Sequence, residues 1–125
     1  MDSIDPAVEA PRHLLVVAHG SRRAASNEEV RAVVERLRAE QSDQFASVET
    51  AFLELAEPSI QDGLSRLARR GARRIVVLPY FLAAGSHVSR DIPEILDAFA
   101  ADHPEVQLAR KTHLLGLVAA LREPT

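Results

Sequence analysis

The sequence contains no cysteine. Disulfides, thiolate metal sites and cysteine nucleophiles are thereby excluded, and any metal has to be held by histidine and carboxylate. The chain also lacks an apolar run approaching the roughly 20 residues that span a bilayer. Its amino terminus, MDSIDPAVEAPR, has neither the basic start nor the apolar core of an export signal. The expectation is a cytoplasmic protein with no membrane partner. There is no excess of positive charge either: the formal net charge is -3, which gives no reason to expect nucleic acid. Lysine occurs only as Lys111, and we ascribe the bias to arginine, with the many alanines, to coding rather than function. No repeat or low-complexity segment is visible.

What is present is ordinary globular composition, 46% hydrophobic and 26% charged, in 125 residues. That length fits one domain. Residues 1–12, with two prolines and little apolar pattern, read as a flexible lead-in, and 13–125 as the folded domain. The organising stretch is RIVVLPYFLAAGSHVSRDIPEI, Arg74 to Ile95. Ile75 to Leu78 are apolar in succession, which suits a parallel strand buried on both faces. Pro79 lacks a ladder donor, so hydrogen bonding is expected to stop near Leu78. Tyr80, Phe81 and Leu82 then become wall. Gly85, Ser86 and His87 follow in a loop, and Asp91 with Glu94 reads as a capping box for the next helix, Pro93 falling in its first turn.

Leu14 to Ala18 form a second continuous apolar run, followed by HGSRR. Ser26 with Glu29 suggests a capping box, and Val30, Val33, Val34 and Leu37 define a helix with one buried face that ends near Gln41. Val48 to Leu55 is a more polar strand suited to an edge. Pro58 opens a helix whose stripe is Ile60, Leu64, Leu67 and Ala68, stopped by Gly71 as a left-handed cap. A helix carrying Ile92, Ile95, Leu96 and Phe99 follows the organising strand. His103-Pro104 breaks it, Val106 to Ala109 forms a short strand, and Leu114 to Leu121 a last helix.

This alternation predicts the α/β class: a single four-stranded parallel sheet with helices on both faces and right-handed crossovers. Placing the two most apolar strands at the centre gives the order 2-1-3-4, with the topological switch point between strands one and three. His19 leaves strand one and His87 follows strand three, so both belong to that crevice, and Glu54 lies one strand along the same rim. Two histidines and a carboxylate there suit a divalent metal or proton exchange near neutral pH. Taken singly, His19 reads equally well as a loop histidine capping backbone groups. Glu54 reads as a solvated edge residue, with Glu57 a competing candidate.

The segments LLVVAHGSR, AFLELAEPSI and VVLPYFLAAGSHVSRDIPEI, in this order and spacing, closely resemble the class II tetrapyrrole chelatases, specifically the short sirohydrochlorin cobaltochelatase and ferrochelatase family of cobalamin and sirohaem synthesis. The resemblance spans about His13 to Gly116. It implies insertion of Co(II) or Fe(II) into a metal-free, carboxylate-rich tetrapyrrole without ATP. It carries the metal-binding, proton-accepting roles onto His19 and His87 and the supporting carboxylate onto Glu54. It further implies a homodimer, with the metal a substrate and no cofactor tightly bound. The chemistry agrees with the residues: two pyrrole protons must leave while a partly dehydrated metal is presented, which neutral imidazoles can serve as ligand and base in turn.

A flat macrocycle needs an apolar wall, which Tyr80, Phe81 and Leu82 can supply, and its carboxylates need cations or helix amino ends. Ser21, Arg22, Gly85, Ser86 and Arg90 are the substrate-binding candidates at this end of the sheet, with Arg23 and Lys111 nearby; any one arginine alone reads as solvated surface. Arg69, Arg70, Arg73 and Arg74 lie at the other end. His13 and His103 read as structural, and His113 either way. Three rivals remain in view. AHGSRR superficially resembles the histidine phosphatases, but Ala18 stands where that family has arginine. A carrier that hands on a metal or tetrapyrrole would use the same histidines. Serine hydrolase chemistry is poorly supported, since neither Ser21 nor Ser86 sits in a G-x-S-x-G elbow.

Overall fold

A computed structural model of the protein describes residues 10–80 and 86–110 and, for 86–90, the backbone alone. The elements run β1 (Arg12–Ala18), α1 (Ala24–Glu40), β2 (Ser47–Phe52), α2 (Ile60–Arg69), β3 (Arg74–Pro79), α3 (Ser86–Asp102) and β4 (Gln107–Arg110). The four strands form one sheet in the order β2-β1-β3-β4, and all three pairings are parallel. The expected order and the central place of the two apolar strands are therefore observed. The helix expected over Leu114 to Leu121, residues 1–9 of the expected lead-in, and Phe81, Leu82, Gly85, Lys111 and His113 lie outside the described residues.

Alternation along the central strands explains the continuous apolar runs. Leu15 and Val17 of β1, with Ile75 and Val77 of β3, face a cluster holding Ile60, Leu64 and Leu67 of α2 and Ile92, Leu96 and Phe99 of α3. Leu14 and Val16, with Val76 and Leu78, face the opposite way toward Val34 and Val30 of α1. Every residue from Leu14 to Ala18 is buried, because each pleat direction meets a helix layer. Burying one such side chain contributes about 1.5–3 kcal/mol. The edge strand β2 is half-exposed at Glu49 and Thr50. Arg38 of α1 donates from Nε and Nη2 to the Val48 carbonyl at 3.0 and 2.6 Å, which occupies an acceptor the edge would otherwise leave to water.

Local details depart from the sequence-based expectations in five places. Helix α1 begins at Ala24 with Arg23 as N-cap, so Ser26 and Glu29 form no capping box; Ala24 and Ala25 extend the helix backward because alanine is the best helix former. Helix α3 begins at Ser86, well before Asp91, and carries Pro93 inside it at the loss of one backbone bond. His87 therefore stands in the first turn of a helix and not in a loop. Helix α2 is capped by Ser59, whose Oγ accepts from Asp62 N–H at 3.1 Å, with Pro58 preceding the cap. Strand β2 ends at Phe52, leaving Glu54 in the following loop. The β1–β3 ladder continues past Pro79, since Tyr80 N–H donates to the Val17 carbonyl at 2.7 Å. The missing donor of Pro79 faces away from β1, toward the side of β4, whose described residues pair as far as Val77 with Arg110. Gly71, at φ +97°, closes α2 as expected.

Candidate active site at the carboxyl ends of the strands

The site is built by a parallel ladder that outlasts its strands. Beyond the last β1–β2 pair, Ala18 with Phe52, the Ala18 carbonyl accepts from Leu53 N–H at 2.8 Å and the His19 carbonyl from Glu54 N–H at 3.1 Å. These bonds hold the two loops side by side, so that His19 and Glu54 become neighbours. Glu54 Oε2 lies 3.7 Å from His19 Nε2. That is ion-pair reach without a direct hydrogen bond. Both side chains are about half-exposed, at 45% and 56%, so their mutual attraction is screened and weak. Neither is committed to the other, and both remain available to a third group. His19 Nδ1 lies 3.1 Å from the Gly20 carbonyl, and Nε2 is the nitrogen directed at Glu54.

Two residues make this approach possible. Gly20 has φ +94°, and a Cβ built on it would stand 1.7 Å from the Glu54 carbonyl oxygen. Only glycine permits the loops to come so close. Asn27, in the first turn of α1, is the buried polar side chain among the described residues, at 7% exposure. Its Oδ1 accepts from Ser21 N–H at 3.0 Å and its Nδ2 donates to the Ser21 carbonyl at 2.8 Å. Both backbone groups of the residue two places after His19 are thus clamped to the helix. Ser21 Oγ accepts from Arg23 N–H at 3.0 Å, which braces the loop before α1. Sequence reasoning missed Asn27, whose only visible signal was its position just after HGSRR; in isolation it reads as helix surface.

A cavity of about 660 Å³ opens beside His19, bounded by Ser21 and Asn27, by Val33 and Arg36 of α1, and by Tyr80. Tyr80 stands where the apolar wall was expected, half-buried against the α1-side core. Arg22 and Arg23 are exposed at this rim. Ser86, His87 and Arg90 lie in the first turns of α3, which follows β3, so their backbone is at the same end of the sheet as His19. Glu57, the competing carboxylate, contributes its carbonyl to Arg31 Nη2 at 3.0 Å; Glu54 is the one beside His19. Among the described residues no group of three or more histidine and carboxylate side chains surrounds a common point.

Residues expected to be structural are engaged elsewhere. His13 opens β1 at the far end, its Nδ1 2.7 Å from Ser47 Oγ, and burial lowers its pKa from 6.5. His103 stacks on Phe99 at 4.4 Å between ring centroids and meets Glu105 at 3.2 Å. Glu105 is held below the usual carboxylate range by its own backbone N–H and by His103. Arg70 reaches Glu49 at 3.8 Å, Arg73 donates to the Ala72 carbonyl and Arg74 to that of Ala10. These contacts place the dense arginine cluster away from the rim.

A histidine and a carboxylate thus meet where β1 and β2 of the parallel sheet run out, next to the β1–β3 switch point. The family model described as CbiX matches residues 13–121, and the chain belongs to the CbiX family. The sirohydrochlorin cobaltochelatase of Methanopyrus kandleri is 41% identical over 83 residues, covering 66% of this chain and 57% of the relative. The chloroplastic sirohydrochlorin ferrochelatase of Arabidopsis thaliana is 42% identical over 82 residues, 66% of this chain and 36% of that protein. Among solved structures, the sirohydrochlorin chelatase SirB from Bacillus subtilis subspecies spizizenii in complex with cobalt superposes with a TM-score of 0.74 at 32% identity, over 82% of this chain and 43% of the other. The chain thus matches just over half the length of the first of these relatives and less than half of SirB.

Proposed function

We propose that this protein inserts a divalent metal, cobalt or iron, into sirohydrochlorin or a closely related carboxylate-rich tetrapyrrole without ATP. The observation that carries the reading is the half-exposed His19–Glu54 pair at 3.7 Å, set at the strand ends of a CbiX-family chain. His19, with His87 from the first turn of α3, serves as metal ligand and then as acceptor for the pyrrole protons; Glu54 draws the ion in and orients His19. An uncommitted pair favours transfer over storage, because the ion has to leave for the macrocycle. Tyr80, with Phe81 and Leu82 after it, supplies the apolar wall. Arg22 and Arg90, the loop of Ser21, and Gly85 with Ser86 receive the peripheral carboxylates, for which the amino end of α3 is a favourable neighbour.

A homodimer in which two copies complete the cleft suits so broad a substrate. No helix among the described residues is long and apolar enough to cross a membrane, and we read the protein as cytoplasmic. The test is to supply purified protein with sirohydrochlorin and Co(II) or Fe(II) and follow the absorbance change of metallation. Acceleration over the uncatalysed rate is expected with at least one metal. Tight binding of either substrate without acceleration would mark a carrier instead.

A further inference from the structure

Leu55 is doubly out of place. Among the described residues it is the large hydrophobic side chain left exposed, at 53%, and also the non-glycine residue with positive φ, +66°. The left-handed region disfavours a side chain with a Cβ, and the residues that tolerate it are glycine, asparagine and aspartate. Exposure of a leucine in water adds a second penalty. Neither local conformation nor core packing therefore selects leucine here.

The loop around it is firmly built. Phe52 N–H donates to the Pro58 carbonyl at 2.8 Å, and Phe52 forms a bridge to Ser59, which closes the turn from both ends. Glu54, directly before Leu55, is bonded to His19 and pressed against Gly20. The conformation at Leu55 is thus imposed by the same contacts that set the His19–Glu54 pair. Strain retained at such a place points to use.

The geometry points to Leu55 as a substrate-contacting residue, an apolar foot on the rim beside Glu54 against which the flat tetrapyrrole rests. The inference rests on the chelatase reading. A single leucine suits this role better than a subunit contact, since a stable interface needs roughly 800 Å² from each partner, whereas a macrocycle held over the His19–Glu54 pair needs only local apolar support. Together with Tyr80 beyond His19, Leu55 would bracket the metal-handling pair with apolar contacts on two sides.

The test compares Leu55→Asn and Leu55→Met with wild type in thermal unfolding, in sedimentation, in binding of metal-free sirohydrochlorin, and in steady-state metallation. Leu55→Asn relieves the backbone strain and removes the apolar surface. It should unfold at the same temperature as wild type or higher, yet raise the dissociation constant and KM by about 5- to 10-fold, on the scale of a partly buried leucine, with a smaller effect on kcat. Leu55→Met keeps apolar volume and should retain most of the affinity. A structural role would instead make stability and affinity fall together. The inference is overturned if Leu55→Asn binds like wild type, if Leu55→Met loses as much as Leu55→Asn, or if affinity falls only through dissociation of a dimer. Wild-type protein that neither binds nor metallates sirohydrochlorin would overturn the functional reading and this inference with it; active wild type with an indifferent Leu55→Asn would overturn the inference alone.

Discussion

Glu54 Oε2 and His19 Nε2 stand 3.7 Å apart although 35 positions separate them in the sequence, and the link between them is backbone: the His19 carbonyl accepts from Glu54 N–H at 3.1 Å. Replacing Glu54 by glutamine keeps that backbone bond and removes only the charge. Insertion should therefore slow by about 10- to 100-fold, the scale for a supporting group at a metal-handling site, with no loss of fold. His19→Ala removes the proposed ligand and base and should cost about 100-fold or more. His13→Ala, at the other end of β1, is the control and should leave insertion nearly unchanged. Metallation rates, read beside circular dichroism, check all three; a His13 variant as damaged as His19→Ala would move the site.

Gly20 carries a prediction of the opposite kind, in which fold and function fail together. An alanine there meets the Glu54 carbonyl at 1.7 Å and has to adopt φ +94°. Strain and overpacking together should destabilise the protein by about 2 to 4 kcal/mol. The relief route is to part the two loops, which breaks the His19–Glu54 approach. Urea denaturation with a metallation assay should show both losses for Gly20→Ala, whereas Gly71→Ala, which meets nothing within 4 Å and has φ +97°, should lose stability alone.

The difference between what was legible in the sequence and what was not follows from the range of the interactions. The strand order could be read because LLVVA and IVVL carry burial on both faces in their composition. The placement of His19 and Glu54 on one rim followed from that order. What could not be read were features set by contacts distant in sequence or by competition between nearby ones. Asp91 and Glu94 look like a helix start, yet α3 begins at Ser86. Ser26 looks like a cap, yet the loop is tied down by Asn27 through Ser21. Pro79 looks like a ladder stop, and which side of the strand its missing donor faces is a property of the assembled sheet. The positive φ of Leu55 has no sequence signal, since leucine is the wrong residue for it.

Asn27 can be tested without touching a group expected to meet substrate. Asn27→Ala leaves the Ser21 N–H and carbonyl without partners in a part-buried place, at a cost of about 1 to 3 kcal/mol. Insertion should fall by about 10-fold or more because His19 is no longer held in register. Asn27→Asp keeps an acceptor for the N–H but turns a carboxylate toward the Ser21 carbonyl, so it should rescue neither stability nor rate. An aspartate variant with wild-type activity would show that only the N–H contact matters.

The far end of β1 should make stability depend on pH through His13. Burial lowers its pKa below 6.5, so the unfolded chain binds a proton more readily than the folded one, and protonation favours unfolding. The Ser47 hydroxyl, 2.7 Å from Nδ1, can donate to a neutral imidazole or accept from a charged one, so the contact itself does not oppose this direction. The sign is then determined: the stability linked to His13 is fully present above about pH 6.5 and is lost as pH falls from there through the lower folded-state pKa. Wild type and His13→Gln, unfolded in urea at pH 8 and again at pH 5, isolate this contribution, because every other titrating group is common to both. Wild type should lose more stability between the two pH values than the glutamine variant does. Equal losses would show that His13 titrates alike in the folded and unfolded chains.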